Sequence, residues 1–223
     1  MDINEKKRFS NYNHLNLIRN FKINIMKTKK LLFILLVALF FSGCIVYSFY
    51  PLYTEKDLFP NDLLTGNWID GDSTEWNFEH PYKGKELPEN IDSSSYVLKT
   101  KDKNDNESKF SVHIIKLGGH YFLDFYLEDF LENDELELAS FHIVPVHTFA
   151  KVSVSKNQLK INWYDQNWLE KLIKENKIRI RHEYNGDYIL LTAGSKELQK
   201  FVTKYVNSEE AFKDGMEAIL TRK

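Results

Sequence analysis

From Leu64 onward, short runs of branched and aromatic residues alternate with turn-forming residues about every ten positions. Runs of this length and spacing are typical of antiparallel strands in a sandwich or barrel. We therefore predict a mainly β fold: an antiparallel sheet or barrel with two or three short helices, mostly C-terminal. The predicted strands are 64–70, 74–80, 94–101, 108–117, 120–127, 141–154, 158–164, 177–184 and 187–193.

Three short turns set the register of the predicted hairpins. Gly118-Gly119 and Asn185-Gly186 suit two-residue turns, and a third turn is placed at Lys156-Asn157. Each turn brings apolar residues together on one face, which predicts that this face belongs to a core. The pairs are Val112–Phe125 and Ile114–Leu123 in the first hairpin, Ile180–Leu191 and His182–Ile189 at Asn185-Gly186, and Val152–Ile161 and Val154–Leu159 in the third.

Helical periodicity is limited to three segments. Asp165 is placed to cap a helix that runs to about Asn176, and Ser195 to cap a second one. A third helix is predicted to start at Ser208 and to contain Phe212, Met216 and Ile219. The first two each present one apolar face, formed by Trp168, Leu169, Leu172 and Ile173 in the first and by Leu198, Phe201, Val202 and Tyr205 in the second.

The tripeptide Gly66-Asn67-Trp68, at the start of the first predicted strand, is similar to the G-x-W motif that opens the lipocalins. The resemblance implies an eight-stranded barrel with a C-terminal helix outside it and a lumen for one small ligand. The chain departs from that family because it has no second or third lipocalin motif. Trp68 then either plugs the bottom of the barrel or lines a ligand lumen, for which the candidate residues are Trp68, Trp163 and His182.

Charge is distributed unevenly along the chain. Eight of the 30 basic and two of the 32 acidic residues precede Cys44, which leaves 22 basic and 30 acidic residues and a net charge of −8. This balance argues against a nucleic-acid partner or an anionic-lipid binding face, since both require a basic surface. Cys44 is the only cysteine, so we expect stability to come from an aromatic and aliphatic core rather than from disulfides.

The longest apolar run of the chain lies before that cysteine. Residues 31–41 contain no polar side chain, three lysines stand in 27–30, and the small residues Ser42 and Gly43 follow. A basic region, a short apolar core and small residues at the cleavage site together describe a secretory signal peptide. We therefore predict a signal peptide over 26–43.

The residues that end this run, Phe41-Ser42-Gly43-Cys44, resemble the lipobox of bacterial lipoproteins. The resemblance implies cleavage between Gly43 and Cys44 and a diacylglyceryl group on the Cys44 sulfur, although the family prefers Leu where Phe41 stands. It also favours an outer-membrane location, because Ile45 occupies the position where Asp retains some lipoproteins in the inner membrane. The alternative is an uncleaved membrane anchor over 31–50, which is long enough to span a bilayer.

The signal peptide and the lipobox also determine the other predicted domain boundaries. Residues 1–25 have no clear periodicity and form either an untranslated stretch upstream of Met26 or a disordered extension. Residues 44–62 carry the lipid and tether the domain. Because the tether is aromatic rather than rich in Gly and Ser, we expect it to pack on the domain or at the membrane interface. Residues 63–223 are predicted to form a single antiparallel β domain with C-terminal helices.

Three polar groups are considered as sites and interpreted as structural. The Gly118-Gly119 register places His113 opposite Asp124, near Ser111, on the face away from the core. A regular strand supplies no strained elbow and no oxyanion hole, so we predict no catalytic triad. His142 and His147 fall on opposite strand faces, and 102–107 lacks the required residues of a calcium loop. We therefore predict neither a metal nor a cofactor.

The sequence thus predicts a lipid-anchored lipoprotein of the cell envelope that acts as a protein-interaction or structural module and is not an enzyme. The membrane is its expected partner through Cys44, together with an envelope protein or a small apolar ligand. The alternative is a lipocalin-like binder that holds a small apolar or amphiphilic molecule in its barrel. Large aromatic residues on inward faces favour the first reading, because they would fill the barrel.

Overall fold

The computed structural model describes residues 45–59, 62–81, 95–128, 142 and 144–223. Its main element is a closed antiparallel barrel of eight strands, in which the strand His120–Leu127 pairs with both Glu107–Leu117 and His147–Val154 and thereby closes the sheet. The mainly β fold with flanking helices that the sequence predicts is confirmed. The barrel strands are β2 (Gly66–Ile69), β3 (Glu75–Glu79), β4 (Ser95–Lys101), β5 (Glu107–Leu117), β6 (His120–Leu127), β7 (His147–Val154), β8 (Gln158–Trp163) and β11 (Glu217–Arg222).

Other elements lie outside the barrel. Three short strands extend the sheet from β7: β1 (Tyr47–Ser48), β10 (Ile189–Leu191) and β9 (His182–Tyr184). Helix α1 (Gln166–Lys174) begins at the predicted cap Asp165, whose carboxylate accepts a hydrogen bond from the Asn167 amide at 2.8 Å. Helix α2 (Ser195–Tyr205) is capped by Gly194, because the Ser195 hydroxyl donates instead to the Pro51 carbonyl at 2.8 Å.

The first and third hairpins have the predicted register. Leu117 pairs with His120 across Gly118-Gly119, and both glycines have positive φ, as a tight hairpin turn requires. The same register places His113 opposite Asp124. The pairing of β7 with β8 also agrees with the sequence, since Val152 lies opposite Ile161 and Val154 opposite Leu159.

The hairpin at Asn185-Gly186 has a register that differs from the predicted one by two positions. Tyr184 pairs with Ile189, so the turn has four residues and His182 lies opposite Leu191 rather than Ile189. The cause is the Asn185 side chain, whose oxygen accepts hydrogen bonds from the backbone amides of both Asp187 and Tyr188. This Asx-type turn lengthens the connection while keeping the same side chains on each face.

The predicted third helix is wrong. A 3₁₀ turn at Glu209–Ala211 is followed by β11, which pairs with β2 and β8. Ala218 and Leu220 are buried and alternate with exposed residues, which is the period of a strand. Without β11 the edges of β2 and β8 would stay unpaired, so closure of the barrel overrides a weak helical pattern.

Two apolar cores share the barrel wall. Inside the barrel, the cluster includes Trp68, Tyr96 and Trp163. A second cluster, here called the outer layer, lies between the outside of β5, β6 and β7 and the two helices, and it contains Phe149 and Phe201. The prediction that the outer face of the β5–β6 hairpin lies away from the core is therefore wrong: this wall is buried on both faces.

The described part of the tether packs on the domain, as one of the two sequence expectations proposed. Leu52 belongs to the outer layer, whereas Ile45 and Phe59 pack against the interior cluster. Ile45 forms a bridge with Asp165, and β1 is inserted between β7 and β10. Leu52 is fully buried. The carbonyl of Leu52 also accepts a hydrogen bond from Gln199 of α2 at 3.0 Å. The chain is thus integrated into the fold from Ile45 onward.

Candidate functional site: an aromatic groove on the outer wall

A groove of about 470 Å³ lies on the outside of the barrel where the tether crosses β5, β6 and β7. We call it the outer groove. The strand register explains how its polar side chains meet: Ser111, Tyr126 and His147 lie side by side on one row across the three strands. Its lining residues are Phe49, Pro51, Tyr53, Ser111, His113, Tyr126, Val144, Pro145 and His147.

A fully buried carboxylate fixes one histidine of the outer groove. Asp124 is 0 % exposed, and its Oδ1 lies 2.7 Å from His147 Nδ1. Its Oδ2 accepts a hydrogen bond from the Leu52 amide at 2.7 Å. Because a carboxylate only accepts hydrogen bonds, the Nδ1 of His147 carries the hydrogen, which leaves Nε2 as an acceptor in the neutral ring. Asp124 therefore orients His147 and attaches the tether to the barrel at the same point.

Aromatic rings hold both histidines in place. His113 stacks on Tyr53, with ring centroids 4.2 Å apart, and His147 packs on Tyr126 at 4.8 Å. Two large apolar side chains remain open to solvent at the groove, Phe49 at 49 % and Val144 at 63 % exposure. The outer groove thus combines an exposed apolar rim with preorganised polar groups.

This arrangement suits recognition better than covalent chemistry. The hydroxyl of Ser111 lies on a regular strand within a continuous ladder, and Tyr126 separates it from His147 in the row. A nucleophile needs a base within hydrogen-bond reach and donors placed for an oxyanion. His147 Nε2 and the Ser111 hydroxyl instead offer hydrogen-bonding positions between apolar surfaces, as in a binding site. Absence of catalysis stays a prediction.

Of the three residues predicted for a ligand lumen, the structure brings two into the barrel. Trp68 and Trp163 are buried in the interior cluster. His182 lies on β9, outside the eight-stranded barrel, where its Nδ1 is 2.8 Å from the Ile180 carbonyl. It belongs to the extension of the sheet, because β9 pairs only with β10 among the described strands.

The barrel interior is filled by side chains. Trp68, Phe78 and Tyr96 of the interior cluster are each 0 % exposed and are among the largest fully buried side chains of the described residues. The Trp68 indole donates to the Leu64 carbonyl at 2.7 Å. The Trp163 indole N–H is buried and donates to none of the described residues.

One structural residue at the barrel end was missed by the sequence analysis. The guanidinium of Arg222 lies 4.1 Å from the centre of the Trp68 ring and donates to the Thr65 carbonyl at 3.0 Å. A Cβ on Gly66 would come within 2.9 Å of Arg222 Nη1, and Gly66 has a φ of 124°. The Gly66-Asn67-Trp68 motif is therefore packed against Arg222, which is the residue of β11 that pairs with Trp68. No local signal pointed to an arginine 154 positions later.

The pKa values of two buried groups outside the barrel are shifted by their surroundings. Burial raises the pKa of Asp165, and the charge of Asp214 adds to this effect. Burial also raises the pKa of Tyr164, whose hydroxyl donates to the Val202 carbonyl at 2.8 Å. Asp165 caps α1 and Tyr164 bonds to α2, and burial favours the uncharged form of each group in the folded outer layer.

The remaining predictions concern the signal peptide, which lies outside the described residues, and metal or membrane-spanning features within them. Gly43, Cys44 and the whole predicted signal peptide precede the first described residue. Within the described ranges, no group of three or more His, Cys, Asp or Glu residues is placed to hold a metal ion. Neither α1 nor α2, nor any other described helix, has the length and apolar content of a membrane span.

No protein-family model matches the chain, and neither a curated protein nor a solved structure matches it.

Proposed function

We propose that the protein is a lipid-anchored lipoprotein of the cell envelope that binds another protein through the outer groove. The observation that carries this proposal is the contrast between a filled barrel interior and an outer groove with an exposed apolar rim. Isolated apolar residues on a surface need no explanation, but aromatic side chains grouped around fixed polar groups are typical of interaction sites.

The composition of the outer groove supports a protein partner. Interface hot spots are enriched in aromatic residues that surround partly desolvated pockets. Phe49, Tyr53 and Tyr126 supply such rings, while His147 and Ser111 offer hydrogen-bonding groups between them. A groove of about 470 Å³ can take one or two partner side chains.

The anchor determines where that partner would be found. A lipid on Cys44 would be attached directly before Ile45, which already belongs to the fold through its bridge with Asp165. A Gly/Ser-rich linker would let the domain move away from the bilayer, whereas this tether is packed on the domain and would hold it near the bilayer. Phe49 follows Cys44 by five positions, so the outer groove would be held close to the membrane that carries the lipid. We place this membrane in the envelope, with the outer membrane favoured by Ile45.

The anchor is tested by Cys44→Ser in the full chain. The variant should lose incorporation of a labelled fatty acid and leave the membrane fraction. Processing to the wild-type size with unchanged membrane association would contradict the lipobox and favour the uncleaved anchor.

The partner surface is tested by photo-crosslinking in cells. A photo-reactive amino acid is placed at Phe49 or at Val144, and the control position is Ile219 of β11, an apolar residue with 44 % exposure outside the outer groove. We expect an adduct of one defined mass from both groove positions and none from Ile219. The same adduct from Ile219, or none from either groove position, would refute the proposed surface.

A second function, the binding of a small apolar or amphiphilic ligand in the lumen, is favoured by one observation. The Trp163 indole N–H lies inside the barrel without an acceptor among the described residues. A buried donor without a partner costs about 1–3 kcal/mol, and a ligand or water that accepts the hydrogen bond would recover part of it. The filled interior argues against a large ligand, so this function ranks second.

A further inference from the structure

A second groove on the surface carries the opposite charge from the domain as a whole. It lies between residues 177–181 and α2, and four basic side chains line it: Lys177, Arg179, Lys200 and Lys204. One acidic residue, Glu197, contributes to the same lining. We call it the cationic groove. Its charge contrasts with the net charge of −8 that follows from the sequence after Cys44.

Most of the positive charge in the cationic groove is not neutralised by ion pairs. Lys177 pairs with Glu175 at 2.7 Å. Glu197 is already engaged, since it accepts hydrogen bonds from the Arg181 side chain and backbone at 3.2 Å. Arg179, Lys200 and Lys204 form no ion pair with any carboxylate in the described part of the chain, so three cations remain available to a ligand.

The floor of the cationic groove is apolar. Ile180 and Phe201 are buried beneath the charged side chains, and Lys204 Nζ lies 4.9 Å from the centre of the Tyr205 ring. A low-dielectric floor strengthens the attraction between these cations and an anion, compared with cations on an open surface. The volume of about 220 Å³ is smaller than that of a pocket for a drug-sized ligand, so the occupant is a small group.

We infer that the cationic groove binds the phosphate group of an anionic ligand. A phosphate oxyanion matches the planar fork of Arg179, and the two lysines add point charges on the opposite side, along α2. A lipid phosphate headgroup and a free phosphate ester share this chemistry. The apolar floor would also accept the first carbons of a lipid. This site lies outside the outer groove and does not depend on the function proposed for it.

The test is a titration of the full-length processed protein in a neutral detergent, followed by NMR or calorimetry. The three probes are inorganic phosphate, dihexanoyl phosphatidic acid and the zwitterionic dihexanoyl phosphatidylcholine. We expect phosphatidic acid to bind, and its affinity to fall as NaCl is raised from about 0.05 to about 0.5 M, because salt screens exposed charges.

Charge reversal locates the site. The double variant Lys200→Glu/Lys204→Glu should weaken phosphatidic acid binding by about tenfold or more, because it replaces attraction with repulsion. The matched control, Lys103→Glu/Lys156→Glu, changes the net charge equally at exposed residues outside the cationic groove and should bind like the wild type. All four lysines are exposed, so unchanged melting temperatures serve as the folding check.

The probes separate the two ligand sources. Binding of both inorganic phosphate and phosphatidic acid supports a site for a free phosphate group, whereas binding of phosphatidic acid alone supports a lipid headgroup. Binding of neither overturns the inference. Equal affinity for phosphatidylcholine, or an equal loss in the control variant, also overturns it, because the negative charge would then not be recognised at this groove.

Discussion

The barrel interior and the outer layer are both buried, but they contain very different numbers of buried polar or charged residues. The four buried polar or charged residues of the described chain, Ser48, Asp124, Asp165 and Gln166, all lie outside the barrel interior. The interior instead holds large apolar and aromatic side chains that need few hydrogen bonds. The outer layer therefore holds the buried polar groups of the described chain, and it is the side of the barrel wall on which the proposed recognition would occur.

The outer layer also depends on contacts between segments far apart in the chain. Asp124 holds the amide of Leu52 across 72 positions, and Gln199 of α2 holds the Leu52 carbonyl. The tether, the barrel wall and α2 therefore meet at one point beside the outer groove. A change at this point should alter the outer groove without opening the barrel.

The largest expected effect is on the interior. Trp68→Ala removes a fully buried side chain and the support for Arg222, and should lower the free energy of unfolding by about 3–5 kcal/mol. Equilibrium urea unfolding measures this loss. A loss below about 1 kcal/mol would mean that the interior relaxes readily and is not the tight core described here.

A smaller effect is expected at the junction of the tether. Asp124→Asn leaves one acceptor oxygen for two donors, the Leu52 amide and His147 Nδ1, and should cost about 1–3 kcal/mol. Amide hydrogen exchange should become faster at Leu52, while exchange inside the barrel stays slow. The exposed Asp72→Asn is the matched control. Unchanged exchange at Leu52 would show that Asp124 does not hold the tether.

The pH dependence of the outer layer follows from Asp165. Since burial raises its pKa in the folded protein, the neutral form favours folding, and this contribution is lost as the pH rises through the folded-state pKa. Asp165→Asn keeps an acceptor for the Asn167 amide without the buried charge. We expect the variant to be more stable than the wild type at pH 7 and to lose this advantage below the ordinary aspartate pKa of 3.8. Unfolding free energies measured across this range would contradict the account if the advantage grew in acid.

The smallest effect on stability is expected at the rim of the outer groove. Phe49→Ser removes an exposed ring and should change the free energy of unfolding by no more than about 0.5 kcal/mol. The same variant should strongly reduce the adduct formed from a photo-crosslinker at Val144. Retention of the full adduct would show that Phe49 is not part of the partner surface.

The sequence predicted the barrel well where local rules suffice. Gly118-Gly119 set the register of β5 and β6, and the alternation in β7 and β8 set theirs, because a tight turn and one buried face leave few alternatives. The registers fail where a side chain intervenes, as Asn185 does in the longer turn before β10. Strand β11 was missed because its pairing with β2 and β8 is a long-range requirement of closure.

Only part of the candidate site could be predicted from the sequence. The sequence predicts the pairing of His113 with Asp124, but it places the face that carries them away from the core. A usable signal was present: residues 112–115 and 121–126 are almost continuously apolar, which is typical of strands buried on both faces. The partnership of Asp124 with His147 and Leu52 gave no local signal, since it joins three separate segments.

The most direct test of the central claim, that the interior of the barrel is filled and recognition occurs outside it, is a native mass. The processed Lys200→Glu/Lys204→Glu variant is used, so that a ligand of the cationic groove does not contribute, and its mass is recorded before and after extraction with organic solvent. We predict the same mass both times, equal to that of the chain and its covalent lipid. A constant extra mass that extraction removes would contradict the claim and would favour a ligand held in the lumen beside Trp163.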